Sequence, residues 1–116
     1  MAKPEQLADI VVFITSANAE EAQRIANVLL SERKAACVNI VPGISSHFWW
    51  QGKLDSAEES LLIVKTEASV LDEVINLVKK HHRYNIPEVI ALPIIGGNQD
   101  YLEWIGKEVK QSGGGD

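Results

Sequence analysis

The stretch that decides the fold is Ala35–Thr66, which reads AACVNIVPGISSHFWWQGKLDSAEESLLIVKT. Two β-rich arms meet at Gln51-Gly52, a pair that is compatible with a two-residue hairpin turn. Each arm could extend about 45–50 Å at about 3.3 Å per residue, whereas a compact chain of this length is roughly 35 Å across. The hairpin is therefore predicted to project beyond its own domain, with Trp49 opposite Leu54 across the ladder.

Large side chains lie next to one another near the tip of this hairpin. His47, Phe48, Trp49 and Trp50 are consecutive, so alternate rings must face opposite sides of an extended strand. A sheet covered on one side only would leave some of these rings in water, which is unfavourable for a cluster of aromatics. We expect these four residues to lie at an interface between copies of the chain. The alternative is a strand buried on both faces within one chain.

The rest of the chain supplies alternating strand and helix patterns. Asn18 with Glu21 forms a capping box before an amphipathic helix, and Ser69 with Asp72 suggests the same start for a second helix, which ends near His81-His82. Pro42-Gly43 predicts a bulge in the first hairpin arm. The remaining predicted elements are strands at Asp9–Thr15, Leu61–Val64 and Glu88–Pro93 and a last helix opened by Asp100 with Glu103.

This order of elements predicts an α+β fold. It is a ferredoxin-like βαββαβ sandwich with an extended β-hairpin, both main helices on one face of an antiparallel sheet, and an added C-terminal helix. The uncovered face is apolar in the first and third strands, so other subunits are expected to cover it. The assembly is therefore expected to be a homo-oligomer.

Composition limits the class of protein. The 116 residues predict one domain, 1–116, in which Ser112–Asp116 is a disordered tail. The net charge of −5 argues against nucleic acid as a partner, and no apolar run is long enough to cross a membrane. Cys37 is the only cysteine, so an internal disulfide is excluded. The N-terminus lacks the apolar core of a secretory signal, so a cytoplasmic location is expected.

Several ordered motifs together resemble the CutA divalent-cation tolerance family, from about Val11 to Ile105. The resemblance implies a tight homotrimer whose hairpins reach across neighbouring subunits, similar in shape to PII-type signalling proteins. It also implies a role in tolerance to divalent metals such as copper, with no established reaction chemistry. The motifs are Ala36–Gly43, Trp50–Leu54, Val64–Thr66, His82 with Tyr84, Pro87–Pro93 and Tyr101–Ile105.

Histidines are the first candidates for a metal site. His81 and His82 could offer nitrogen ligands to a weakly bound or subunit-bridging copper ion, although neighbouring helical residues point about 100° apart. The alternative is a helix C-terminus stabilised by partly protonated histidines. Some family members carry a cysteine near the end of the first strand, where this chain has Ile14-Thr15-Ser16. Cys37 is expected to be a buried, inert thiol.

Charged residues beside apolar strands are the second candidate site. Glu59, Lys65 and Glu88 lie in or beside apolar strands, where a charge is tolerated only when paired, and they could form a polar pocket with Tyr84. The similarity to PII-type trimers implies that this pocket is a small-ligand or anion site at the cleft between subunits. The alternative is a structural Lys–Glu bridge. Gly96-Gly97-Asn98 lacks the further glycine or lysine of a nucleotide site.

The sequence therefore favours a non-enzymatic, trimeric protein of metal tolerance, with copper or another divalent metal weakly bound. A PII-like sensor of a small molecule or anion is the alternative, and a trimeric protein scaffold with an unknown partner is also open. An enzyme is not expected, because no nucleophile–base pair or carboxylate pair can be identified from the spacing.

Overall fold

A computed structural model describes residues 9–111, so the predicted tail at 112–116 lies outside the described residues. Within that range the chain forms four strands and three α-helices, and a short 3-10 turn at Ala68–Val70 precedes the second helix. The elements are β1 (Asp9–Ser16), α1 (Ala19–Ser31), β2 (Cys37–Trp50), β3 (Lys53–Glu67), α2 (Leu71–His81), β4 (Val89–Pro93) and α3 (Gln99–Glu108).

The four strands form one antiparallel sheet in the order β2-β3-β1-β4. Side chains alternate along each strand, and in β1 every second residue is buried. Val12 faces Val64 across the β1–β3 ladder, and both pack with Ile25, Val74 and Ile105 from the helices in the buried core. The predicted α+β class, with helices packed on one face of an antiparallel sheet, is confirmed.

The β2–β3 hairpin projects from this sheet. Pairing between β1 and β3 ends at Ser16 opposite Ser60, while β2 and β3 continue as a two-stranded ribbon to the tip. The described chain is 45 Å along its longest axis and only 22 Å along its shortest. Trp49 lies opposite Leu54, as predicted, and the register shifts between Val41 and Ile44, where the bulge was expected. The projecting hairpin is therefore confirmed.

The turn at the tip requires a left-handed backbone at both of its central residues. Gln51 has φ of 52° and Gly52 has φ of 80°, the signs of a type I′ turn. A Cβ added at Gly52 would meet no atom within 4 Å, so a substitution there tests backbone strain alone.

Gly52→Ala is expected to destabilise the protein by about 1 kcal/mol, because an L side chain disfavours the left-handed region. Urea unfolding measures the change, and Gly96→Ala is the control, since Gly96 has equally open surroundings without a positive φ. Equal effects of the two substitutions would contradict the strained-turn explanation.

The two predicted helix starts have different outcomes. Asn18 caps α1 as expected: its side-chain oxygen accepts a hydrogen bond from the Glu21 backbone N–H at 2.8 Å. The predicted start of α2 at Ser69 is wrong, because α2 begins at Leu71 after the 3-10 turn and has no side-chain cap. The Ser69 hydroxyl instead accepts a hydrogen bond from Gln111 Nε2. This contact between distant residues carries no local sequence signal.

No helix or strand of residues 9–111 covers the sheet face opposite the helices. Phe13 lies between Ile63 on β3 and Ile90 on β4, and Leu92 lies two residues beyond Ile90 on the same face. In the single chain Ile90 is 53% exposed and Leu92 is 50% exposed. An apolar surface of this kind is typical of an interaction site. Among residues 9–111, no helix has the length and apolar character needed to cross a lipid bilayer.

Candidate functional site

A cavity of about 750 Å³ opens where the projecting ribbon joins the sheet. One wall is the ribbon, which contributes Phe48, Trp50 and Glu59, and the other is the segment after α2, which contributes Tyr84 and Glu88. Glu59, Tyr84 and Glu88 are three of the four residues predicted for a ligand pocket. The structure therefore brings these three together, and their binding of a ligand stays a prediction.

Lys65 is the fourth predicted pocket residue, and the structure places it elsewhere. It lies six positions beyond Glu59 along β3, about 20 Å in an extended strand. Its ammonium group donates a hydrogen bond to Asn39 Oδ1, beside Cys37. The proposed Lys–Glu bridge is therefore absent between Lys65 and Glu59. Cys37 is partly exposed, so the expectation of a fully buried thiol is also corrected.

Glu59 lines the cavity and is only 6% exposed. The Tyr84 hydroxyl lies within hydrogen-bonding reach of its carboxylate. Burial first, and then this hydrogen bond and the negative charge of Glu59, raise the pKa of Tyr84 above its ordinary value. The phenol therefore remains a neutral donor that fixes one side of the carboxylate.

His82 holds the segment that carries Tyr84 against the sheet. Its side chain is fully buried, and its Nε2 donates to the Thr15 carbonyl oxygen at 2.6 Å. Its Nδ1 accepts from the Tyr84 backbone N–H at 3.0 Å. Both ring nitrogens are therefore engaged by the backbone, and a metal ion could bind His82 only after one of these bonds had broken.

Glu21, on α1, also binds the segment that carries Tyr84 through a hydrogen bond. It is fully buried, and one carboxylate oxygen accepts from the Ala17 backbone N–H at 2.8 Å while the other accepts from the Arg83 backbone N–H at 2.7 Å. His82 Nε2 lies 3.8 Å away from Glu21 Oε1. Glu21, in the first turn of α1, thus also positions the wall of the cavity.

The residues predicted at a subunit interface divide between the two faces of the ribbon. Phe48 and Trp50 face the cavity, whereas Trp49 pairs with Leu54 on the opposite face and is 73% exposed. His47 Nε2 lies 3.2 Å from the Ser45 hydroxyl. The interface role of these four residues stays a prediction.

The predicted metal ligands do not form a cluster within one chain. His81 ends α2 and is partly exposed, while His82 is engaged as described. In the part of the chain that the structure covers, no three histidine, cysteine, aspartate or glutamate side chains come together as a metal site. The binding of a metal by His81 and His82 stays a prediction.

Sequence reasoning missed three features of this region. Two are the cavity residues Asp55 and Arg83, and the third is the hydrogen bond that Glu21 accepts from the Arg83 backbone N–H. Asp55 lies opposite Phe48 in the ribbon, and both Asp55 and Arg83 line the cavity. The hairpin register that Gln51-Gly52 predicts could have placed Asp55 beside Phe48. No local signal links Glu21 with Arg83.

The chain matches the family model described as CutA1 divalent ion tolerance protein over residues 10–108. It is 52% identical over 103 residues to protein CutA 1, chloroplastic, of Oryza sativa, covering 89% of this chain and 58% of that protein. It is also 47% identical over 95 residues to the divalent-cation tolerance protein CutA of Thermus thermophilus, covering 82% of this chain and 92% of that one. The chain thus spans somewhat more than half of the rice protein.

Solved structures agree with these sequence matches. The crystal structure of CutA1 from Oryza sativa has a TM-score of 0.87 at 51% identity and covers 90% of this chain and 95% of that one. A structure from Archaeoglobus fulgidus, described as the periplasmic divalent cation tolerance protein CutA, has a TM-score of 0.85 at 44% identity and covers 88% of this chain and 99% of that one.

These relatives correct the expectation of a cytoplasmic location. The rice protein is named chloroplastic and the Archaeoglobus protein periplasmic, so a cytoplasmic-only location is not supported. The physical reason is that a fold of this kind does not encode its compartment. The family model spans nearly the whole described domain and the relatives are closely similar, so this chain belongs to the CutA1 divalent ion tolerance protein family.

Proposed function

We propose that this chain is a homotrimeric divalent-cation tolerance protein that acts by binding and not by catalysis. The single observation that carries the proposal is the apolar sheet face of Phe13, Ile63, Ile90 and Leu92, which one chain leaves without a cover. Two further copies would bury this face, and the projecting ribbons would reach across the neighbours. The observed strand order supports the ferredoxin-like assignment.

Copper is the metal that we propose the protein responds to, bound weakly or bridged between subunits. Imidazole nitrogen suits copper, and His81 is partly exposed at the end of α2. Because the described part of one chain holds no ready cluster of three ligands, a ligand from a neighbouring subunit would have to complete the site.

Removal of His81 is the test of the copper proposal. His81→Ala is expected to weaken copper binding in a calorimetric titration by roughly tenfold or more, as the loss of one strong ligand should. Adding His82→Ala should weaken it further only if His82 leaves its backbone partners. Glu20→Ala is the control, because Glu20 is exposed in the first turn of α1 and is not a predicted ligand. Equal copper binding by wild type and the double variant would reject the site.

A second candidate function is a sensor of a small molecule at the cavity of Glu59, Tyr84 and Glu88. The cavity favours this reading, because its volume of about 750 Å³ falls in the range of small-molecule sites. Thermal shift against metals, nucleotides and organic acids separates the two functions, since a ligand at a hundred times its Kd adds about 2.7 kcal/mol. No shift with any of them would favour a protein scaffold.

A further inference from the structure

Glu59 is a buried carboxylate that makes no ion pair with a cationic side chain of residues 9–111. It is 6% exposed, and its partner in the structure is the neutral phenol of Tyr84. The ion pairs found within residues 9–111 join other residues, and Arg83 makes none with Glu59 although it lines the same cavity. A carboxylate has about four acceptor positions, and buried charges are normally paired. Glu59 therefore has unused capacity for a positively charged donor.

The surroundings of Glu59 favour a cation over an anion. Glu88 and Asp55 line the same cavity, so three carboxylates are opposed by the single guanidinium of Arg83. Low-dielectric walls concentrate the field of such a charge imbalance inside a cleft. A negatively charged ligand would meet this field at every orientation that brings it near Glu59.

Aromatic rings form much of the remaining wall. Phe48 and Trp50 project from the ribbon, and Tyr84 faces them from the segment after α2. Aromatic faces attract ammonium and guanidinium groups and also pack against flat apolar groups. The cavity thus combines a charge for a cationic head with apolar surface for an attached body.

The size of the cavity separates an organic cation from a bare metal ion. A divalent metal needs several ligand atoms within about 2.0–2.6 Å, and no cluster of three suitable side chains exists in the described range. A volume of about 750 Å³ instead accommodates a small organic molecule.

We propose that this cavity binds an organic cation, namely a primary amine or guanidine carried on an aromatic or similarly flat apolar group. The cationic head bonds to the Glu59 carboxylate beside the Tyr84 hydroxyl, and the apolar body packs between Trp50 and Tyr84. The inference rests on the second proposed function, the small-molecule sensor, and names the class of its ligand.

Calorimetric titration of the full chain with phenethylamine and benzamidine tests the proposal, with benzyl alcohol and benzoate as the neutral and anionic counterparts. Both cations are expected to bind at least roughly tenfold more tightly than either counterpart, since a charge-assisted hydrogen bond is worth about that factor. Glu59→Gln should remove most of this preference while keeping an oxygen that accepts from Tyr84. Glu58→Gln is the matched control, because Glu58 faces the opposite side of β3 and does not line this cavity.

The outcomes distinguish this inference from the functions on which it depends. Equal binding of cations and counterparts, unchanged cation binding by Glu59→Gln, or no cation binding up to about 10 mM, well beyond the affinity range of specific sites, overturns it. Tighter binding of benzoate would leave a sensor with an anionic ligand and reject the cation. If Glu59→Gln does not fold, Glu88→Gln, at an exposed position, must reduce cation binding by roughly threefold or more for the proposal to stand. Sedimentation of the same samples reports trimer formation separately.

Discussion

Replacing Glu21 by alanine is expected to lower the free energy of unfolding by roughly 3 kcal/mol or more. Two backbone donors, the N–H groups of Ala17 and Arg83, would lose their acceptor, and each buried unsatisfied donor costs about 1–3 kcal/mol. His82, 3.8 Å away, would lose a polar neighbour as well. Urea unfolding measures the change in stability.

The neighbouring glutamate is a matched control for this substitution. Glu20 lies in the same first turn of α1 but is exposed, so Glu20→Ala should cost only about 0.5 kcal/mol through the helix dipole. In Glu21→Ala, hydrogen exchange of the Arg83 amide should also quicken, because that amide has lost its partner. Equal costs for the two substitutions would contradict the role given to Glu21.

Replacing Ile90 by glutamate is expected to prevent assembly. Ile90 is 53% exposed in one chain, where a charge would be tolerated, yet the proposed trimer buries it. An unpaired carboxylate in an apolar interface costs several kcal/mol, and the cost recurs in every subunit of a symmetric assembly. Light scattering should show a loss of the assembled species, and the variant should be less stable because it lacks the buried interface.

Leu30→Glu provides the comparison. Leu30 is 38% exposed on α1, in the helix layer on the other side of the sheet, so its substitution should leave the assembly intact. If Ile90→Glu assembles as well as Leu30→Glu does, the open sheet face is not an interface between copies.

The parts of the fold that depend on local chemistry could be predicted from the sequence. Gln51-Gly52 fixes the hairpin register, Pro42-Gly43 marks the bulge, and Asn18 with Glu21 starts α1, because in each case neighbouring residues supply the needed conformation or donor. The projecting ribbon could also be predicted, because the two arms are longer than a compact domain of this size.

The candidate site was predictable only in part, because it depends on distances along and between elements. Lys65 shares a strand with Glu59, and only the register shows that six positions carry it out of reach. His82 bonds to Thr15, and Glu21 to Arg83, across gaps in sequence that no local pattern records. A motif match can therefore name such residues without revealing that their side chains are already engaged.

The account depends on the burial of the open sheet face between identical chains. Sedimentation equilibrium of the wild-type chain at micromolar concentration tests this most directly. A homotrimer predicts a mass of about 38 kDa, three times the chain mass of 12.8 kDa. A folded species that remains at 12.8 kDa would contradict the account, because Ile90 and Leu92 would then lie exposed in a stable single molecule.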